Sequence, residues 1–190
     1  MTDKESPWSV PIIVAQIPET GLHRDFEAKE AERGALAEVA GLRVVSAAGA
    51  SFDLAPVRGG RVHVTGRVTA RIGQTCVVTL EPVENDIDEA IDLVFAPPEQ
   101  IPTLAHLIEQ AGESDAEIPD PPEPIMDGII DLGRLATDAL LLGIDPYPRK
   151  PGAVFDLPEI PPDPEDHPFA ALKALKPDAD SRKRKKPAKD

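Results

Sequence analysis

The chain has 190 residues, a formal charge of −14 from 20 Lys/Arg against 34 Asp/Glu, 22 prolines and only 4% aromatic residues. A single cysteine excludes a disulfide scaffold and a zinc site of several thiolates, and no apolar run is long enough to span a bilayer. The acidity argues against the body of the protein gripping nucleic acid through phosphates, and the N-terminus MTDKESPWSV, which lacks a secretory apolar core, points to a reduced, cytoplasmic location.

Trp8–Gln16 (WSVPIIVAQ) is β-branched and apolar and reads as a strand, with Pro11 marking an edge or a start. Glu27–Ala40 reads as a helix. Ala28, Ala31, Ala35, Leu36, Val39 and Leu42 recur at helical spacing, and Gly41 is its stop. Leu42–Ser46 and Ser51–Val57 follow as two strands, the second with Phe52, Leu54 and Pro56 on one side. Arg58-Gly59-Gly60-Arg61 is a hairpin turn. Arg61–Ile72 then alternates: Val62, Val64, Val68, Ala70 and Ile72 face one way, and Arg61, His63, Thr65, Arg67, Thr69 and Arg71 the other. Gly66 interrupts the apolar row and reads as a bulge. Cys76–Leu80 and Ile87–Phe95 are expected as further strands, with Glu81-Pro82 and Asn85-Asp86 as turns. Thr103–Ala111 is a candidate short helix. Asp131–Gly143 is a stronger one, with Asp131 as N-cap and an apolar face of Leu132, Leu135, Ala136, Ala139, Leu140 and Leu142.

These elements predict an α+β domain over residues 1–150. It consists of a twisted, mainly antiparallel sheet curling toward a barrel, with two packing helices. Seven prolines between Pro97 and Pro124 mark an acidic, Pro-rich loop at about 97–124. Residues 151–175 read as a Pro-rich, extended C-terminal arm ending in a short amphipathic segment, and 176–190 as a basic, disordered tail. The tail holds seven Lys/Arg against three Asp, which leaves the first 175 residues at −18.

Three strings stand out. They are Cys76-Val77-Val78-Thr79-Leu80-Glu81-Pro82-Val83, then Ile130-Asp131-Leu132-Gly133-Arg134-Leu135 running into Ala139-Leu140-Leu141-Leu142, and finally His167-Pro168-Phe169-Ala170-Ala171-Leu172-Lys173-Ala174-Leu175. In order and separation they resemble the YceD family of bacteria and plastids, the large ribosomal RNA subunit accumulation protein, in an alphaproteobacterial-type variant. The resemblance runs from about Val10 to Leu175. It implies a role in 23S rRNA accumulation and large-subunit assembly, with no catalytic residue and no cofactor to carry over. Many relatives carry Cys-x-x-Cys before Leu-Glu-Pro, whereas this chain has Cys76 and Thr79, so a paired-thiol function is absent here. Cys76 itself reads as a small, buried apolar residue.

The residues offer little to an enzyme. His23, His63, His106 and His167 lack ligand spacing to one another or to Cys76, so no metal site is readable. The glycines at 59–60 lie between strands and do not open a helix, and no serine sits in a nucleophile elbow. The resemblance, taken with the acidic body and basic tail, implies a non-enzymatic ribosome-biogenesis factor whose partner is a basic large-subunit ribosomal protein or a pre-ribosomal particle. Arg182, Lys183, Arg184, Lys185 and Lys186 are candidates for an RNA tether. Phe169, Leu172 and Leu175, on one face of a short helix, would dock on a partner or back on their own domain. The alternative is a direct RNA-binding chaperone acting through Arg61, Arg67, Arg71 and the basic tail.

Overall fold

Alternating apolar and polar residues over the middle of the chain become three long antiparallel strands in a computed structural model, which describes residues 6–102 and 121–155. Every element below belongs to one unit, Met1–Ala153; of a second unit, Val154–Asp190, the described residues include only Val154 and Phe155. In chain order the strands are β1 (Pro11–Ile13), β2 (Leu22–Glu27), β3 (Val44–Val57), β4 (Arg61–Thr75), β5 (Pro82–Ala96), β6 (Glu123–Pro124) and β7 (Ile129–Asp131). Helix α1 (Glu30–Ala40) lies between β2 and β3, and α2 (Leu132–Leu142) follows β7. The main sheet has the order β2-β3-β4-β5-β6 and is antiparallel except for β5–β6, while β1 and β7 form a separate two-stranded sheet. The fold is α+β as expected, but the sheet does not close into a barrel: β2 and β6 are its two edges.

One face of the sheet carries the core. Val62, Val64, Val68, Ala70 and Ile72 of β4 are buried with Phe52 and Leu54 of β3, and Leu36 of α1 and Leu132, Ala136 and Leu140 of α2 close over them. Full burial of each large side chain contributes about 1.5–3 kcal/mol. Trp8 is 1% exposed and meets Phe26 edge-on at 5.1 Å, and Phe26 in turn lies 6.0 Å from Phe52. Trp8 and Phe26 therefore join the core.

Both helix ends are built from local chemistry. The Glu32 carboxylate accepts from the Lys29 N–H at 2.6 Å, and Gly41 closes α1 in the left-handed region at φ 64°. Asp131 Oδ1 accepts from the Gly133 and Arg134 N–H groups at 3.0 and 3.1 Å, capping α2. It also accepts from Val10 N–H at 2.8 Å, while Ser9 Oγ donates to Oδ2 at 2.6 Å, so the same carboxylate ties down the N-terminal segment.

Several local expectations are corrected. The first helix starts at Glu30, and the preceding Leu22–Glu27 is an edge strand whose mostly exposed, polar residues gave little periodic signal. Within the proposed apolar stripe Leu36 is buried but Val39 is 49% exposed, and Pro56 is also exposed. The strand expected over Trp8–Gln16 is limited to Pro11–Ile13, followed by a 3-10 turn over Val14–Gln16. The two strands around residue 48 are one, β3, with its register shift between Val45 and Ala47. Gly66 is not a bulge: its register is continuous on both sides, and a Cβ there would lie 2.2 Å from Ser51 O and 2.5 Å from a Phe52 ring carbon. Glycine is needed because Phe52 crosses the neighbouring strand at that point. Cys76–Leu80 is a turn, not a strand, with Leu80 at φ 60°. Asn85-Asp86 is not a turn but lies inside β5, because the Asn85 amide bonds Gln74 Oε1 at 2.6 Å and Asp86 pairs with Arg71 across the ladder.

Candidate functional site

The face of the sheet opposite the core is polar, and among the described residues nothing covers it. Odd-numbered residues of β4 meet odd-numbered residues of β3 and β2 and even-numbered residues of β5, so side chains of all four strands share this face. Its charges are organised as cross-strand pairs. Arg67 Nη1 donates to Asp88 at 2.7 Å, Arg71 Nε donates to Asp86 at 2.8 Å, and the His63 ring lies 2.6 Å from Asp92. His23 bridges Asp53 at 2.8 Å and Asp25 at 2.9 Å. Arg61 Nε donates to Gln100 Oε1 at 2.8 Å.

The titration behaviour follows these contacts. Asp53 first, then Asp25, raises the His23 pKa above its ordinary value. Asp25 is lowered by Ser51 and His23, Asp86 is lowered by Arg71, and Arg71 is raised in return by Asp86. All of these groups are exposed, so solvent screening leaves the pairs little weight in stability. What matters is the balance: the guanidinium groups of Arg67 and Arg71 are matched by carboxylates, while Glu27 and Glu84 lie in no ion pair among the described residues. A groove of about 560 Å³ is lined by Glu27, Arg33, Thr69, Arg71, Asp86 and Asp88; Arg71 there is matched by Asp86, while Arg33 donates to the Ala28 C=O at 2.8 Å. The Arg61–Arg67–Arg71 row therefore lies on one face as expected, but it sits among carboxylates rather than as a bare cationic stripe.

A second locus surrounds Cys76. The turn Cys76–Glu81 closes through Leu80 N–H to Cys76 O at 3.0 Å and Cys76 N–H to Glu81 O at 2.8 Å. The 145–150 segment clasps it: Val77 N–H donates to Pro148 O at 2.9 Å, the Gln74 amide to Asp145 O at 2.8 Å, and Lys150 Nζ to Glu81 at 2.9 Å. Cys76 is fully buried, but it does not act as an apolar residue. Its Sγ accepts backbone N–H groups from Lys150 at 3.3 Å and from Val78 and Thr79 at 3.4 Å. Led by the Lys150 N–H and then by Thr79, these donors lower the thiol pKa to about 6. Sequence reasoning missed this clasp because Lys150 and Cys76 are 74 positions apart.

The Cys76 turn and the β5 carboxylates of the polar face lie within one stretch of chain. Residues 64–176, more than half of the sequence, match the family model described as large ribosomal RNA subunit accumulation protein YceD. The chain belongs to the YceD family. No curated protein and no solved structure matches it. The YceD match begins inside β4 and takes in the Cys76 turn, β5, β7 and α2. It leaves out β1, β2, α1, all of β3 and the first three residues of β4, although these pair with and pack on the matched part. Among the described residues of this YceD-family chain, no cluster of three His, Cys, Asp or Glu side chains is arranged to hold a metal, and no helix is long and apolar enough to cross a membrane. The tether candidates Arg182, Lys183, Arg184, Lys185 and Lys186, the docking candidates Phe169, Leu172 and Leu175, and the short helix expected at Thr103–Ala111 all lie outside the described residues.

Proposed function

We propose that this YceD-family chain supports accumulation of large-subunit rRNA as a non-enzymatic cytoplasmic factor that holds a basic component of the large ribosomal subunit on its acidic surface. The observation that carries this reading is the pairing on the polar sheet face. Arg67 and Arg71 are already engaged by Asp88 and Asp86, so the face presents surplus carboxylate to an incoming partner. An acidic surface speeds encounter with a cationic ribosomal protein and repels polyphosphate within roughly one Debye length, about 8 Å at physiological salt. The segment from Lys176 to Asp190, at seven Lys/Arg to three Asp, has the opposite sign and suits a weak tether to pre-ribosomal RNA through Arg182–Lys186.

The test is depletion with quantified rRNA. Mature 23S RNA should fall while small-subunit RNA is spared, and equal loss of both would refute the reading. A pull-down from RNase-treated lysate should retain a basic large-subunit protein. The alternative, direct RNA binding through Arg61, Arg67 and Arg71, requires residues 1–175 to bind 23S fragments with a steep salt dependence.

A further inference from the structure

We infer that the open edge of β5 is a strand-addition site for an extended polypeptide segment in which cationic and apolar residues alternate. This rests on the proposed basic partner and specifies how that partner is held. The direction of the backbone is fixed at the end of the strand. The Ala96 C=O accepts from Ile125 N–H at 2.9 Å, on the β6 side. Peptide groups alternate along a strand, and the β4–β5 register is unbroken from Val62↔Phe95 to Thr75↔Pro82. The N–H and C=O groups of Glu84, Asp86, Asp88, Ala90, Asp92 and Val94 therefore also point away from β4. Strand β6 covers only Phe95 and Ala96, and among the described residues no other backbone hydrogen bond reaches this edge.

An edge of this length is a template for another strand. The usual protections are short length, a bulge, an internal proline or a row of lysines. β5 has 15 residues, no register shift, no lysine and a proline only at its first position, Pro82. Its charges are all acidic, and they are ordered. Glu84, Asp86, Asp88 and Asp92 project on the polar face, where Asp86 and Asp88 each meet one arginine of β4, Asp92 meets His63 and Glu84 lies in no ion pair among the described residues, while Glu89 lies on the core side beside α2. An added strand would bring every second side chain about 4.5–5.5 Å from the polar row. On the core side Ile91 and Leu93 are half-buried beside the edge and suit apolar neighbours.

Charge selects the occupant. A second copy of this chain would set the same carboxylates against each other, which is destabilising between directly opposed residues. RNA would meet the same repulsion and has no strand backbone to offer. A Lys/Arg-bearing extended segment supplies both the counter-charge and the backbone groups.

The probe is a short synthetic peptide alternating lysine and valine, with a version N-methylated on alternate residues as a control of equal charge. Binding is followed by fluorescence anisotropy and by amide hydrogen exchange on the full chain. The unmethylated peptide should bind at least tenfold more tightly than the control and slow exchange at Asp86, Asp88, Ala90 and Asp92. Ala90→Pro removes one outward N–H and leaves the β4 ladder intact, so it should lose at least tenfold in affinity while keeping the native circular dichroism spectrum. Equal binding of both peptides would overturn strand addition, as would amides already protected in the isolated chain, or a folded Ala90→Pro variant that binds as well as the parent. If that variant still retains a basic ribosomal protein in the pull-down, the inference fails and the proposed function stands. If neither peptide binds and the pull-down is empty, both fail.

Discussion

Gly133 occupies the first turn of α2, where helix propensity alone favours alanine by about 1 kcal/mol. Packing reverses that preference. A Cβ at Gly133 would stand 2.7 Å from Trp8 O and 2.8 Å from both Trp8 C and Val10 N, all backbone atoms that no rotamer change can move. The N-terminal segment cannot simply withdraw. Leu132 N–H donates to Val10 O at 3.0 Å, Val10 N–H donates to Asp131 at 2.8 Å, and β1 pairs with β7 just beyond. Gly133→Ala must therefore push α2 off its seat or lift Trp8 out of the core. Overpacking of the first kind costs about 1–3 kcal/mol, part of it offset by propensity. Loss of Trp8 burial would bring the cost to about 3–5 kcal/mol, the range for deleting a buried aromatic. Urea unfolding followed by the fluorescence of the single tryptophan reads both outcomes, because a displaced Trp8 shifts its emission to the red before the transition. An unchanged or higher midpoint for Gly133→Ala would refute the claim that the N-terminal segment seats against this glycine.

Two further outcomes concern titration. The thiolate absorbance of Cys76 near 240 nm should appear in the folded chain with a midpoint of about 6, against about 9 when unfolded. Because the folded value is depressed, the stabilisation is fully present above the unfolded value and is lost as pH falls through about 6. A folded midpoint near 9 would remove the role assigned to the Lys150, Thr79 and Val78 N–H groups. His23 should titrate above 6.5 by NMR. Its folded pKa is raised, so its small contribution is complete below 6.5 and is lost as pH rises through the folded value. A midpoint at or below 6.5 would mean that Asp53 and Asp25 do not hold the imidazolium.

The elements that were legible in the sequence are those whose signal is local. Asp131 before an apolar 3.6-residue period gives α2 and its cap, Gly41 gives the stop of α1, and Gly59-Gly60 between alternating runs gives the β3–β4 hairpin. The family was legible too, because three ordered strings carry it and the match over residues 64–176 contains all three. The errors arose where a polar residue has a distant partner. Asn85 and Asp86 look like a turn until Gln74 and Arg71 are placed beside them on β4. Gly66 looks like a bulge until Phe52 crosses it.

Composition and alternation by themselves determined an acidic α+β chain with one buried and one polar sheet face, since period-two patterning fixes which side chains share a side. Only the tertiary structure decided what those polar side chains meet. Cross-strand register matched Arg67 and Arg71 to carboxylates, a segment 74 positions away turned Cys76 into an acceptor of backbone N–H groups, and among the described residues the sheet order left β5 open along most of its outer edge. The physical reason is that hydrogen bonds and ion pairs depend on separations of about 3 Å, and chain folding alone sets those distances between residues far apart in sequence.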